Sequence, residues 1–176
     1  MSDTSSKETQ LGNPTVVASH VSRIADIVQT YGAFSLGNLE VAEPMRLSAS
    51  HKKPDFSWSI QEDMVSVIID VGFAGFTVND EGGLSGEPIV TVEARFAVNY
   101  SLDNEFDASA ITEADWDAFA LVNGMLNITP YWREYVQDSI SRTQLAPYYI
   151  PPFNVSRFLQ KANSSEDPEL SADTPD

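Results

Sequence analysis

Apolar and polar residues alternate through most of the chain between Gly32 and Tyr100, the period of two that is typical of β-strands with one buried face. Four strands are predicted, with a turn-rich loop from Asn79 to Gly86 before the last one. Their apolar positions are Phe34, Leu36, Leu39 and Val41; Phe56, Trp58 and Ile60; Val65, Val67, Ile69, Val71 and Phe73; and Val90, Val92, Ala94, Phe96, Val98 and Tyr100. Because each strand keeps one polar face, we predict an antiparallel sheet in meander order.

Apolar residues at helical spacing precede these strands. Asn13 and Pro14 are suited to a helix start, and a first amphipathic helix is predicted after them. Its apolar face would carry Val17, Val21, Ile24, Val28 and Tyr31. The same region is also compatible with the beginning of a strand.

Helical patterns also follow the strands. Thr112 is suited to cap one helix, and Thr129 followed by Pro130 predicts the start of the next. From Pro147 to Pro152 the chain is rich in proline and aromatic residues, which predicts an extended segment, and Asn154 restarts a short last helix. Strands followed by helices predict an α+β fold, here a four-stranded antiparallel meander sheet followed by two to three helices packed on one face.

Length and composition predict one domain with polar ends. The 176 residues are 42% hydrophobic, enough for one sizeable core, which we assign to residues 14–161. Residues 1–13 are polar, and residues 162–176 contain acidic but no basic side chains. Both ends are expected to be disordered because they lack apolar area to offset the entropy of ordering.

The net charge of −16, from 10 basic and 26 acidic residues, argues against nucleic acid or an anionic membrane as a direct partner. It favours a basic or apolar partner. The first residues lack the basic-then-apolar order of a signal peptide, and no run of apolar residues is long enough to span a bilayer. We therefore expect a cytoplasmic protein without membrane insertion.

Candidate catalytic or metal-binding residues are few. The chain has no cysteine, and its two histidines, His20 and His51, lie in unlike sequence contexts. The carboxylates Glu113, Asp115 and Asp117 are explained by the first turn of a helix, where negative charge is stabilising. No nucleophile elbow, phosphate loop or zinc-protease helix occurs. We predict no enzyme activity, no cofactor and no metal.

Aromatic side chains are more numerous and more evenly spread than one small core requires. Most of them are expected in the core or in a subunit interface. A polar sheet face beside an extended apolar segment would also leave a hydrophobic groove for flexible polypeptide, with acidic residues around it.

The last third of the chain contains a series of short motifs. They are Asn127–Glu134, Ser141–Thr143, Leu145–Pro147, Pro152–Asn154 and Phe158-Leu159, with Leu39-Glu40 and Pro44 near the first strand. The first of them has the pattern Asn-x-x-Pro-Tyr-x-Arg-Glu. In these motifs the chain resembles the SecB family of export chaperones. The strand-then-helix order and the acidic tail also agree.

The resemblance implies a homotetramer, a dimer of dimers, that holds unfolded preproteins without ATP and delivers them to the SecA motor for translocation. It assigns a client-binding groove to Phe56, Trp58, Phe76, Tyr148, Tyr149, Ile150 and Phe153. It assigns SecA docking to Glu40, with Asp80, Glu81 and Glu87 as replacements for an acidic residue that the family has and this chain lacks. The alternative is a dedicated module on the same fold that serves a single partner, such as an antitoxin, outside general export. An unrecognised enzyme is a third, less favoured reading.

Overall fold

A computed structural model describes residues 12–37, 48–78, 84–103, 106–107 and 110–156. Helix α1 (Pro14–Ala18) is followed by strands β1 (Val21–Leu36), β2 (Ser48–Gln61), β3 (Met64–Val78) and β4 (Leu84–Leu102), and then by helix α2 (Glu113–Ser141). Val155 and Ser156 are helical again and are the last described residues, so the rest of the predicted last helix lies outside them. Of the predicted disordered ends, only Gly12 and Asn13 are described, and the Asn13 amide donates to Asp115 Oδ1 at 2.7 Å.

The predicted α+β fold with a four-stranded antiparallel sheet is confirmed, but the strand order is not a simple meander. The order is β1-β4-β3-β2, so β1 pairs with β4 and lies at the opposite edge from β2. Only β2, β3 and β4 form consecutive hairpins. Strand β1 therefore crosses to the far side of β4, a position that alternation within the strand cannot reveal because every strand has the same period.

The predicted first helix is wrong beyond Ala18, since most of its apolar residues lie in β1. The cause is visible in the register of β1 against β4. Val21, Ile24 and Ile27 are three residues apart, yet they pair with Leu102, Tyr100 and Val98, which are two residues apart. The register shifts after Val21 and after Ile24 each add one residue to β1. Two bulges therefore produce a spacing of three that imitates a helix.

Helix α2 begins where the sequence predicts. The Thr112 hydroxyl accepts a hydrogen bond from the Asp115 amide at 3.2 Å, and Glu113 and Asp115 occupy the first turn. Hydrogen bonds from Thr112 and from the Asn13 amide lower the pKa of the Asp115 carboxyl. The Asp115 side chain thereby joins the start of α1 to the start of α2.

The predicted helix start at Thr129-Pro130 is wrong, because α2 continues through Pro130 to Ser141. The Thr129 hydroxyl does not cap a new helix and instead donates to the Met125 carbonyl at 2.5 Å, one turn back. Buried residues continue at helical spacing on both sides of the proline: Val122, Met125, Ile128, Trp132, Val136 and Ile140. Packing of this stripe on the sheet outweighs the local cost of proline.

The core lies between α2 and one face of the sheet. That face is formed by the alternating residues that the sequence predicted for β3 and β4, from Val65 to Phe73 and from Val90 to Tyr100. Close approach of helix and sheet depends on Gly124, where an added Cβ would lie 2.3 Å from Ile69 Cδ1. On β3 the opposite face carries the polar Ser66 and Asp70 together with the apolar Ile68 and Phe76, and on β4 it carries Glu93 and Arg95.

Tyr100 is a polar element within this core and makes stability depend on pH. Burial raises its pKa to about 12, although the Asn127 amide, donating to the hydroxyl at 2.8 Å, acts in the opposite direction. The folded state thus holds the phenol proton more tightly than the unfolded chain does. Its contribution is present below pH 10.0, the ordinary value, and is lost as pH rises towards 12. We expect the free energy of unfolding to fall by roughly 2 kcal/mol over that interval.

Urea titrations between pH 9 and pH 12 measure this alkaline loss. In the Tyr100→Phe variant the loss should shrink, whereas Tyr149→Phe, at an exposed tyrosine, should leave the profile unchanged. Equal profiles for the wild type and Tyr100→Phe would contradict the assignment to Tyr100.

Candidate functional site

The segment from Arg142 to Asn154, here called the crossing segment, leaves the end of α2 and returns across the sheet. The Thr143 hydroxyl donates to the Ile140 carbonyl at 2.7 Å and accepts from the Leu145 amide at 3.1 Å, which turns the chain out of the helix. Residues 146–154 form neither helix nor strand, as the prolines predict. Leu145 and Ile150 are buried in the core and hold the crossing segment in place.

Tyr148 anchors the middle of the crossing segment to the sheet. Its ring centroid lies 4.9 Å from that of Phe73 on β3, and its hydroxyl lies 3.3 Å from His51 Nε2 on β2. The His51 ring also meets the Phe73 ring, at 5.7 Å. Desolvation in this setting lowers the pKa of His51, so the neutral imidazole is favoured. The sequence alone gave His51 no function, because no motif links it to residues almost 100 positions away.

A second aromatic cluster lies between β2 and the start of α2. Trp58 stacks on Trp116 with ring centroids 5.3 Å apart, and its Nε1 donates to Asp117 Oδ1 at 2.8 Å. The ring of Trp116 meets Phe119 and Phe106 edge-on. The sequence explained Asp117 by its place near the helix start, whereas the structure adds a specific role as acceptor for the indole.

Replacing Trp58 by phenylalanine tests the hydrogen bond to Asp117. Phenylalanine keeps most of the ring contact with Trp116 but has no donor, so the carboxylate loses its partner. We expect the free energy of unfolding to fall by about 1–2 kcal/mol in urea denaturation. Trp58→Phe combined with Asp117→Ala should lose little more than the more severe single variant, because both changes remove the same bond. Strict additivity would contradict a direct interaction.

The predicted groove residues do not all lie on one surface. Phe56, Trp58, Tyr148 and Phe153 are half-buried and pack against the core on the helix side of the sheet. Ile150 belongs to the core itself and is only 8% exposed, whereas Tyr149 is 64% exposed. Phe76 pairs with Ser48 of β2 and lies three residues after Phe73 in β3. Because successive side chains of a strand point to opposite faces, Phe76 and Phe73 lie on opposite faces of the sheet. The structure thus brings five of the seven residues together around the core, leaves Tyr149 exposed and separates Phe76 from them.

Little of the predicted docking surface falls within the described chain. Glu40, Asp80 and Glu81 lie outside the described residues, and Glu87 is exposed on β4. The exposed sheet face does carry other acidic groups. Asp70 accepts two hydrogen bonds from Arg95, at 2.8 and 2.9 Å, and Asp26 accepts one from Asn99 at 2.5 Å.

Sequence reasoning missed an apolar surface along β1. Strand β1 supplies five large apolar side chains that are at least two-fifths exposed: Ile24, Val28, Tyr31, Phe34 and Leu36. A cleft of about 630 Å³ separates β1 from the second half of α2, with Ile27, Phe96, Tyr131 and Tyr135 in its wall and Glu134 and Asp138 at its rim. The available signal is the apolar content of residues 21–36, which the sequence pattern divides between a helix, up to Tyr31, and a strand that contains Phe34 and Leu36.

Metal-binding geometry is not found in the parts of the chain that the structure describes. No three His, Cys, Asp or Glu side chains there are grouped so as to hold a metal ion. Across the same residues, every buried side-chain nitrogen or oxygen has a hydrogen-bond partner. The described helices include none with the length and apolar character needed to cross a membrane.

Comparison with known proteins identifies the fold. The chain is similar to the SecB-like chaperone Rv1957 of Mycobacterium tuberculosis, solved in complex with a ChAD peptide from the Rv1956 HigA1 antitoxin, with a TM-score of 0.61. The similarity covers 80% of this chain and 96% of that chain at 19% sequence identity, and it shows a SecB-like fold. A protein of unknown function from Streptococcus agalactiae also aligns, at a TM-score of 0.33 and 11% identity over 73% of this chain and 96% of that one, too low to support any inference. No family model and no curated protein matches the sequence.

Proposed function

We propose that this protein is an ATP-independent chaperone that binds non-native polypeptide in the cytoplasm. The observation that carries the proposal is a SecB-like fold that leaves large apolar side chains uncovered away from the β1 edge, at Leu126, Tyr131 and Tyr149. Burial of client apolar side chains against such a surface provides roughly 25 cal/mol per Å². The surrounding negative charge would accelerate the encounter with basic, unfolded chains and keep the loaded complex soluble.

The two edge strands of the sheet differ in a way that favours self-association along β1. The outer strand β2 carries Lys52, Lys53 and Pro54, residues that discourage pairing with another strand. Strand β1 contains neither lysine nor proline and exposes apolar residues on both of its faces. We infer that β1 meets a second copy of the chain, and that two such pairs form the homotetramer.

Two hypotheses differ in what the chaperone does with its client. It either delivers many preproteins to a common receptor for export or serves a single partner. Delivery of preproteins to SecA is the first hypothesis, and exposed acidic residues of the described sheet, among them Asp26, Asp55, Glu87 and Glu93, are candidate docking residues. The second hypothesis is a chaperone for a single partner. It is favoured by the similarity to a structure whose bound peptide comes from an antitoxin.

Breadth of protection separates these hypotheses. A general chaperone should suppress the aggregation of several unrelated unfolded proteins at near-stoichiometric ratio, and its solution mass should be four times that of the chain. A dedicated chaperone should protect one partner and ignore the others. A chain that protects no unfolded protein and binds no hydrophobic dye would refute the proposed function.

Tyr149→Glu tests the contribution of the most exposed aromatic residue. We expect client affinity to fall about tenfold or more, because a buried charge replaces an apolar contact. Light scattering should give an unchanged solution mass. A fall to monomers would place Tyr149 in a subunit interface, and unchanged affinity would remove it from the client surface.

A further inference from the structure

The crossing segment is itself an extended apolar peptide lying on the sheet. Between Thr143 and Ser156 the sequence contains no charged residue and three aromatic ones. Residues 146–154 take part in no strand pairing, so lifting them breaks no ladder of backbone hydrogen bonds. The cost of lifting is the withdrawal of Ile150 from the core. In composition and conformation, this part of the chain matches the client proposed above.

Tyr148 occupies a subsite with two defined walls. Phe73 provides an aromatic surface at 4.9 Å that is only 2% exposed when the tyrosine is in place. His51 provides a nitrogen 3.3 Å from the tyrosine hydroxyl. A ring with a polar end fits this pair, since the ring packs on Phe73 and the hydroxyl reaches the imidazole.

We propose that Tyr148 is a built-in competitor for clients, and that a client tyrosine or phenylalanine takes its place against Phe73 and His51 when the crossing segment lifts. The inference rests on the proposed function and adds an order of events to it. The closed segment shields Phe73 in the absence of client. Binding then requires the open state, so the apparent Kd equals the intrinsic Kd divided by the open fraction.

The sign of the effect of Tyr148→Ala distinguishes a competitor from a residue that lines the groove. Reduced, carboxamidomethylated lysozyme, which is permanently unfolded and basic, is the probe, and Kd is measured by calorimetry. We expect Tyr148→Ala to bind about tenfold more tightly than the wild type, because the open fraction increases. The neighbouring Tyr149→Ala is the matched comparison and should bind more weakly than the wild type, because Tyr149 belongs to the proposed client surface. Circular dichroism confirms that each variant is folded.

Hydrogen exchange provides a second readout in the wild-type protein. Client binding should increase deuterium uptake in residues 146–153, because the client displaces them, whereas a groove wall would become protected. Weaker or unchanged binding by folded Tyr148→Ala, or protection of residues 146–153 by client, overturns the competition while the proposed function stands. Absence of probe binding by the wild type and both variants overturns the proposed function and the competition together.

Discussion

Gly124→Val should lower the free energy of unfolding by about 3 kcal/mol. An added Cβ at this position lies 2.3 Å from Ile69 Cδ1 and 3.2 Å from Val67 Cγ1, both on β3. Ile69 and Val67 are completely buried, so neither side chain has free space into which it can turn. Valine must therefore push α2 away from the sheet.

Two further variants isolate this contact in urea denaturation. Arg133→Val places valine at an exposed position of α2 and should change stability by less than about 0.5 kcal/mol. Ile69→Val removes the Cδ1 methyl group that the new side chain meets. In combination with Gly124→Val it should recover about 1 kcal/mol relative to the sum of the single effects. Additive effects would show that the helix does not approach β3 at this point.

Pro130→Ala should raise the free energy of unfolding by about 2–3 kcal/mol, since proline in a helix interior costs about 3 kcal/mol relative to alanine. Pro130 is exposed and lies well inside α2, where it provides no amide for the hydrogen bond to the preceding turn. Alanine restores that donor and leaves the buried stripe on the sheet unchanged. Thermal and urea unfolding followed by circular dichroism provide the measurement.

Glu134→Ala, at an exposed position one turn later, is the control for Pro130→Ala and should be nearly neutral. A loss of stability in Pro130→Ala would mean that the proline sets a helix direction on which the packing of Trp132 and Tyr135 depends. Client affinity measured on the same variant shows whether the second half of α2 must keep its present direction.

The features of the fold that depend on residues close together in the sequence were predicted correctly, and those that depend on tertiary packing were not. Alternation specified β3 and β4 residue by residue, because the buried face of a central strand repeats every two positions. The Thr112 cap was also predictable, because its hydrogen-bond partner, the Asp115 amide, lies only three residues away in the sequence. The helix start predicted at Thr129-Pro130 was wrong, because this local signal contains no information on the tertiary packing that lets α2 continue through Pro130.

The candidate site was less predictable because it is assembled from distant parts of the chain. Tyr148 was named from the sequence, but its contacts with His51 and Phe73 depend on the path of the crossing segment over the sheet. The surface along β1 was hidden by bulges that give a strand the spacing of a helix. Phe76 was grouped with Phe56 because both are aromatic, although their registers place them on opposite faces.

The unequal chemistry of the two outer strands limits how large an assembly can become. A pair of subunits joined along β1 would present β2, with its lysines and proline, at both ends of the joined sheet. Further polymerisation by strand addition would then stop after one step. A chaperone with the function proposed above would thereby keep apolar surface available for unfolded chains without forming fibrils.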